Sequence, residues 1–310
     1  MNKYKPEGLL TRNLKNYEYT SSLEGLYKAL EEGVILEAPA VLCDHNLNLH
    51  VELCGKEGII PKNEVCLTKD GEELKDIAIL TRVGKTVCFK VVGFEKNDKG
   101  QLCPILSRKA AQEECLENYI KNLIPGDIIP ARVTHIENFG AFVDIGCGII
   151  SLLSIDSISV SRISHPEQRV GLSETVYTVV KSIDERGRVY VSMRELLGNW
   201  EENTERFSEG QTVRGIIRSV ESYGVFVELT PNLAGLAEYR SDAIVGRCAA
   251  VYIKSIIPEK MKIKLIIIDT GEEPKTKMPI EYFVDLNKVT HIDSWVYSPK
   301  KSKKKIESIF

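Results

Sequence analysis

One short pattern occurs twice in this chain and constrains its fold more than any other feature. Residues 139–145 are Phe-Gly-Ala-Phe-Val-Asp-Ile, and residues 223–229 are Tyr-Gly-Val-Phe-Val-Glu-Leu. The two copies lie 84 residues apart, and the pairs Gly126-Asp127 and Gly210-Gln211 keep the same offset. A repeat of this length is typical of duplicated domains, not of a solenoid of short units.

The repeated pattern has the alternation of a half-buried β-strand. Its aliphatic members share the face that we expect in a core: Ala141, Val143 and Ile145. Phe142 and Asp144 share the opposite face, which we expect to meet water. Phe139 lies three residues before Phe142, and Gly140 between them permits a bulge that brings both rings to one surface.

Two aromatic rings on a solvent-facing sheet form a surface on which unpaired bases stack, at roughly 1–3 kcal/mol per base. For one ring alone, the alternative is burial under a loop or helix, where most large aromatic side chains lie. The duplication favours the first interpretation, because the second copy keeps both rings as Tyr223 and Phe226. The sequence therefore predicts two base-stacking sites with weak sequence preference.

The pattern resembles the S1 RNA-binding module, a small OB-type β-barrel found in tandem in the bacterial small-subunit (30S) ribosomal protein S1 family. The runs at 161–166 (Ser-Arg-Ile-Ser-His-Pro) and 180–184 (Val-Lys-Ser-Ile-Asp) resemble the second half of such a module. The resemblance covers most of the chain and is strongest over 126–268. It implies a mainly β fold, with three S1-type five-stranded OB-fold barrels in tandem, joined by short helical linkers.

The expected domain order follows from this resemblance and from the linker compositions. The segments are a lead-in (1–32), a degenerate S1-like domain (33–106), a linker helix (107–125), an S1 RNA-binding domain (126–193), a second linker helix (194–209), an S1-like domain with a C-terminal extension (210–298) and a basic tail (299–310). We expect one short helix, over 23–30, in the lead-in. We expect residues 280–286 and 289–297 to add strands to the third domain, and Trp200 to be a packing anchor between modules rather than a base-stacking residue.

The first domain keeps the barrel pattern but not the rings. His50 stands where Phe142 stands in the second domain, and Leu47 stands where Phe139 stands. We interpret this domain as one that docks on protein, with the ribosome as a candidate, or as a purely structural domain.

The resemblance also implies a base-contacting set: two aromatics, a His after the third strand, and an Asp and a basic residue at the last turn. Phe139, Phe142, Asp184 and Arg188 match it, but Ser154 and Glu238 occupy the His positions of the second and third domains. With nearby cations included, the predicted RNA-binding residues are Phe139, Phe142, Asp184, Arg186, Arg188, Arg218, Tyr223, Phe226, Lys260, Lys262 and Lys264. The alternative for Arg186 and Arg188 is a solvated turn.

The overall charge is not typical of a nucleic-acid-binding protein, since the formal net charge is −3 and the isoelectric point is about 6.1. Any RNA contact must therefore come from local basic patches and stacking. Period-two spacing predicts one such patch, a face formed by Lys260, Lys262 and Lys264. Residues 210–268 carry a net charge of +3, against −2 for 126–197, so the third domain is expected to supply more of the electrostatic attraction.

The 8 cysteines include no Cys-x-x-Cys pair, and the chain begins with charged and polar residues rather than an export signal. These features indicate reduced thiols in a cytoplasmic protein without a membrane span. A zinc site built from Cys43, Cys54 and Cys66 is the less favoured alternative. We expect the protein to bind neither a metal nor a cofactor. We also expect it to be a monomer.

No His-Glu-x-x-His, Gly-x-Ser-x-Gly or complete phosphate loop occurs in the sequence. The sequence therefore predicts a non-catalytic protein that binds single-stranded RNA, with mRNA at the small ribosomal subunit as the expected partner. Two alternatives remain open. One is a protein-interaction scaffold, and the other is an accessory RNA-binding subunit of an RNA-degradation or transcription complex.

Overall fold

Three closed five-stranded β-barrels follow one another along the chain in the computed structural model. The structure describes residues 4–53, 55–68, 74–96 and 100–310. They divide into two compact units, one of residues up to Leu123 with Asp144–Ile150, the other of Ile124–Val143 with Ser151–Phe310. The predicted fold, a mainly β tandem array of three barrels, is confirmed.

The first unit begins with two helices, α1 (Leu14–Thr20) and α2 (Leu23–Glu32). Its barrel has the strand order β1-β2-β3-β5-β4. The strands are β1 (Leu36–Cys43), β2 (Leu49–Leu53), β3 (Lys56–Ile60), β4 (Thr86–Lys96) and β5 (Leu102–Ser107), with α3 (Asp76–Leu80) between β3 and β4. The prediction of one lead-in helix missed α1, which is capped by the Asn13 side chain.

The first linker helix, α4 (Arg108–Asn118), also belongs to this unit. The Ser107 hydroxyl accepts a hydrogen bond from the Ala110 N–H at 2.8 Å, which satisfies one of the helix's unpaired donors. Ala111 and Cys115 are buried on its apolar face, as the helical spacing predicts.

A buried group of charged side chains links the lead-in to the rest of the first unit. The Arg108 guanidinium donates to both Glu7 carboxylate oxygens, at 2.7 and 3.0 Å. The Glu7 N–H donates to Asp144 Oδ2 at 2.7 Å, and the Gly8 and Leu10 N–H groups donate to Glu37 Oε2 at 3.0 and 2.8 Å. The prediction that Asp144 faces water is wrong, because its side chain is buried as an acceptor of backbone N–H groups.

Burial raises the pKa of Glu37 from 4.5 to about 8, and it raises the pKa of Asp144 to about 7, with the nearby Glu7 charge adding to the shift. Burial alone would raise the pKa of Glu7 too, but the Arg108 guanidinium outweighs it and the pKa of Glu7 is lowered. Glu7 is therefore the ionised partner of Arg108, whereas Glu37 is protonated at neutral pH.

We expect the stability of the first unit to fall as pH rises from about 5 to about 8. In this window Glu37 stays protonated in the folded state but ionises in the unfolded chain, so the unfolded state binds fewer protons. One proton amounts to about 1.4 kcal/mol per pH unit. Glu37→Gln removes this contribution and makes the pH dependence shallower, while the contribution of Asp144, whose pKa is also raised, remains.

Urea unfolding at several pH values, followed by labelling of the buried Cys88 thiol, measures this effect in the first unit. Comparing variant with unsubstituted protein at each pH cancels the pH dependence of the thiol reagent. Equal slopes in the two proteins would show that Glu37 is already ionised in the folded state.

The second unit contains the third barrel and all of the second barrel except Asp144–Ile150. The second barrel has strands β6 (Ile128–Glu137), β7 (Gly140–Asp144), β8 (Ile150–Ser154), β9 (Thr175–Ile183) and β10 (Val189–Ser192), in the order β10-β8-β7-β6-β9. The third has β11 (Thr212–Glu221), β12 (Gly224–Thr230), β13 (Leu233–Ala237), β14 (Cys248–Ile257) and β15 (Lys262–Thr270), in the order β11-β12-β13-β15-β14.

The second linker is two short pieces rather than one helix. A 3₁₀ turn over Arg194–Leu197 ends at Gly198, whose φ of +80° breaks the helix, and α5 (Trp200–Thr204) follows. Trp200 is buried in the core of the third barrel, so its side chain packs as predicted, but within that barrel's core.

The C-terminal extension adds no strand to the third barrel, so that prediction is wrong. The Tyr177 N–H of β9 donates to the Tyr282 hydroxyl, and the Ile128 N–H of β6 donates to the Thr290 carbonyl, both at 2.8 Å. Two short strands, β16 (Ser294–Val296) and β17 (Glu307–Ile309), pair only with each other. The third barrel is closed and has no unpaired edge to accept a sixth strand, and the extension makes its hydrogen bonds to the second barrel instead.

Candidate nucleic-acid interface

The repeated pattern places the same pair of rings on the second and third barrels. Phe139 is 55% exposed and Tyr223 68%, while Phe142 and Phe226 are half-buried. The Phe139 and Phe142 rings meet edge to face, with centroids 6.0 Å apart at 89°, and the Tyr223 and Phe226 rings do so at 6.2 Å and 87°. We call these two sets the ring pairs.

The glycine within each ring pair is required by close packing of the backbone. A Cβ at Gly140 would lie 2.6 Å from the Leu153 carbonyl oxygen, and one at Gly224 would lie 2.5 Å from that of Ala237. Both carbonyls belong to barrel strands, Leu153 to β8 and Ala237 to β13, so they cannot move aside. A larger residue in place of either glycine would therefore displace the neighbouring rings.

Strand register shows what lies beside the ring pair of the third barrel. Phe226 pairs with Ser219 on β11 and with Leu236 on β13. Leu236 pairs with Lys264 on β15, which pairs with Ser255 on β14. We call these five residues the pairing row of the third barrel. Since neighbouring strands are about 4.8 Å apart, Lys264 lies about 10 Å from Phe226 along the surface.

The second barrel has an equivalent pairing row. Tyr190 pairs with Leu152 on β8 and with Ser182 on β9. The Ile155 N–H donates to the Phe139 carbonyl at 2.9 Å, and antiparallel counting from this bond sets Phe142 beside Leu152. The His135 ring of β6 lies 6.1 Å from the Phe142 ring. The row is thus His135, Phe142, Leu152, Tyr190 and Ser182.

An exposed lysine stands next to each of these rows on a β-bulge. The register between β9 and β10 skips Lys181, and the register between β14 and β15 skips Lys254. Both side chains are exposed. Sequence reasoning missed these two cations, although Lys-Ser-Ile recurs at 181–183 and 254–256.

The first barrel has aliphatic residues at most of the same positions. Its pairing row is Leu42, His50, Ile59, Ile105 and Gly93, and the bulge position next to it holds Val92. Leu42 is 50% exposed and Val92 48%. The His50 ring is held at 2.7 Å by the Glu57 carboxylate. These described positions of the first barrel include neither a phenylalanine or tyrosine ring nor a lysine or arginine.

The last turn of the second barrel exposes two of the predicted cations, Arg186 and Arg188. Asp184 Oδ1 accepts hydrogen bonds from the Arg188 and Arg186 N–H groups at 2.8 and 2.9 Å, and these bonds lower the pKa of Asp184. Asp184 therefore shapes the turn, and the two guanidinium groups remain at the surface.

The predicted three-lysine face of the third barrel is reduced to two. Lys262 and Lys264 are exposed on β15. Lys260 instead lies in a 3₁₀ turn over Pro258–Lys260, and Met261 follows it with a φ of +48°. The period-two pattern fails there because the strand begins only at Lys262.

Arg218 occupies a buried ion pair rather than the surface. Its Nε lies 2.6 Å from Glu228 Oε2, and Arg169 Nη2 lies 2.5 Å from the same oxygen. Both Arg169 and Glu228 are fully buried. Because Arg218 shares the buried Glu228 carboxylate with Arg169, its guanidinium group is part of the folded core. We therefore leave Arg218 out of the candidate interface.

Among residues 4–53, 55–68, 74–96 and 100–310, no group of three or more His, Cys, Asp or Glu is placed to hold a metal ion. The zinc alternative includes Cys54, which lies outside the described residues. Within the same part of the chain, no helix is long and apolar enough to cross a membrane.

Closed five-stranded barrels in tandem, two of them with an exposed ring pair beside lysines, define a protein built from S1-type OB-fold modules. The S1 RNA binding domain family model matches residues 123–194. Small ribosomal subunit protein bS1 of Staphylococcus saprophyticus is 33% identical over 190 residues, covering 59% of this chain and 45% of that protein. Its Staphylococcus epidermidis counterpart is 30% identical over 230 residues, covering 72% of this chain and 54% of that protein.

Residues 123–194 therefore form an S1 RNA-binding domain and the chain is similar to bS1 proteins, but it spans only about half the length of the bS1 relatives that it matches. A solved Streptococcus pneumoniae multidomain protein with nucleic acid binding domains is also similar. It is 15% identical, covers 78% of this chain and 75% of its own, and has a TM-score of 0.24.

Proposed function

We propose that this chain is a non-catalytic protein that binds single-stranded RNA in translation, holding mRNA at the small ribosomal subunit. The observation that carries the proposal is the recurrence of one ring geometry on two barrels, each beside exposed cations. The similarity to bS1 proteins, whose name places them in the small ribosomal subunit, supports the role in translation.

In this proposal the rings bind bases and the lysines and arginines bind phosphates. Unpaired bases stack on the Phe139–Phe142 and Tyr223–Phe226 ring pairs, and every base offers a π face, so sequence preference is weak. The backbone follows exposed cations near the rings: Lys181, Arg186, Arg188, Lys254, Lys262 and Lys264.

Salt titration of the affinity for a labelled, unstructured oligoribonucleotide tests the proposal. Each phosphate contact contributes about 0.7 to the slope of log affinity against log salt for a single strand. Lys262→Ala combined with Lys264→Ala is therefore expected to lower the slope by about 1.4.

The matched control replaces Lys28 and Lys62, two exposed lysines of the first unit, which changes the net charge equally. We expect it to leave the slope unchanged. An affinity that does not respond to salt in the unsubstituted protein would contradict the proposal and favour a protein-interaction scaffold.

A second function, for the first barrel alone, is docking on protein. The aliphatic pairing row of that barrel, with Leu42 and Val92 about half exposed, lacks both features that the other two barrels offer to RNA. Leu42 and Val92 stand at the two ends of a row that also contains Ile59 and Ile105, and a continuous apolar surface of this kind is typical of protein-binding sites. The small ribosomal subunit is the candidate partner.

Co-sedimentation with purified small ribosomal subunits tests this second function. We expect Leu42→Gln with Val92→Gln to reduce co-sedimentation while affinity for the free oligoribonucleotide stays the same. Ile77→Gln, at another exposed aliphatic position of the first unit, is the control. Undiminished co-sedimentation of the double variant would leave the first barrel without a docking role.

A further inference from the structure

We propose that the second barrel binds nucleobases on a strip of four rings, in which Tyr190 and His135 are base contacts in addition to Phe139 and Phe142. The inference rests on the proposed RNA-binding function and extends it. It gives the second barrel a stacking surface that the third barrel lacks, although the two share a fold and a ring pair.

Tyr190 stands at the position that Lys264 occupies in the third barrel. Each pairs with the leucine next to the ring pair, Leu152 or Leu236, through the same parallel strand contact. Tyr190 therefore lies two strands, or about 10 Å, from Phe142 on the outer surface. The Tyr190 hydroxyl lies 3.4 Å from Asp184 Oδ2, at the base of the turn that exposes Arg186 and Arg188.

His135 extends the strip on the other side of Phe142. The two rings are nearly parallel, with planes 25° apart and centroids at 6.1 Å. The His135 side chain is 61% exposed, and its Nε2 lies 2.7 Å from Glu137 Oε1. The third barrel has Ser219 at this position, so its row offers no ring there.

The four rings cross the barrel surface from β6 to β10, whereas the third barrel has two rings followed by a lysine. Rings contribute stacking energy that depends little on salt, while a lysine on a phosphate contributes a salt-dependent energy. The second barrel thus offers more rings to bases, and the third barrel has a lysine for a phosphate where the second has Tyr190, which agrees with their net charges of −2 over 126–197 and +3 over 210–268.

Exchanging the equivalent residues in the full chain tests the inference, with binding of a labelled oligouridine of about 16 nucleotides as the readout. Tyr190→Ala is expected to weaken binding about tenfold without changing the salt slope. Tyr190→Phe keeps the ring and is expected to retain affinity. Tyr190→Lys is expected to steepen the slope by about 0.7, and Lys264→Tyr to flatten it by the same amount.

His135→Ser recreates the third-barrel residue and is expected to weaken binding severalfold at an unchanged slope. Tyr177→Ala removes a half-exposed ring of the same barrel, about 16 Å along β9 from the pairing row, and is the control. Its expected effect on affinity is nil.

Two results would overturn the inference. One is an affinity unchanged by both Tyr190→Ala and His135→Ser. The other is a loss in Tyr190→Phe as large as in Tyr190→Ala, which would assign Tyr190 to positioning the Asp184 turn instead. Phe139→Ala with Phe142→Ala, measured in parallel, distinguishes a failure of the four-ring strip from a failure of the proposed RNA-binding function. If that variant weakens binding, the proposed function stands although the four-ring strip falls.

Discussion

Replacing Phe142 and Phe226 together with alanine is expected to weaken the binding of an unstructured RNA by about 2–6 kcal/mol, because in the proposed function each ring stacks one base at roughly 1–3 kcal/mol. Both side chains are half-buried on the outer faces of their barrels, outside the cores. We therefore expect the fold to survive the substitutions. Fluorescence anisotropy with a labelled oligoribonucleotide measures the affinity, and circular dichroism confirms the fold.

The first barrel supplies the matched control for this experiment. His50 occupies the position in the pairing row of that barrel that corresponds to Phe142 and Phe226. Its neighbours in the row are aliphatic, and its ring is hydrogen-bonded to the Glu57 carboxylate. His50→Ala is expected to leave RNA affinity unchanged. If the double phenylalanine variant binds RNA as tightly as the unsubstituted protein, the ring pairs are not a stacking surface.

The second large effect is on stability. We expect Glu228→Ala to destabilise the second unit by about 3–5 kcal/mol, because it leaves two arginines buried without their shared carboxylate. Arg169 is fully buried and the Arg218 side chain is 8% exposed, so water cannot replace the lost partner of either. The two positive charges would also repel each other across the vacated position.

Urea unfolding followed by Trp200 fluorescence measures this effect, since Trp200 packs in the core of the third barrel. Glu221→Ala removes an exposed carboxylate from the neighbouring strand β11 and is the control, with an expected change within about 0.5 kcal/mol. Glu228→Gln keeps the shape but not the charge and is expected to lose most of the same stability. A change below about 1 kcal/mol in Glu228→Ala would mean that the arginines find other partners.

The features that sequence reasoning recovered depend on residues close together in the chain. Alternation over 141–145 identified the core face of the strand, and its copy 84 residues later indicated a second barrel. The position of Gly140 between Phe139 and Phe142 was enough to expect both rings at the surface. Helical spacing likewise indicated that Trp200 is a packing residue, and its apolar side chain is buried in the core of the third barrel.

Three of the errors concern charged residues, and two of these residues have surroundings that come from distant parts of the chain. Asp144 lies on the strand face predicted to meet water, but backbone N–H groups from the lead-in and from its own loop enclose it. Arg218 has the charge of a phosphate contact, but Glu228 and Arg169 bury it. Lys260 was assigned to a strand that begins two residues later.

The sequence by itself determined a strand pattern with two aromatic rings and its copy 84 residues later, because alternation and repetition are read directly from the order of the residues, and the resemblance of this pattern to S1 modules implied the barrels. Only the tertiary structure decided what surrounds each ring pair. Tyr190, Lys264 and Ile105 reach equivalent places through parallel pairing of strands far apart in sequence, and bulges turn Lys181 and Lys254 toward the same surface. Strand register is fixed by how the whole barrel closes, which no local pattern records.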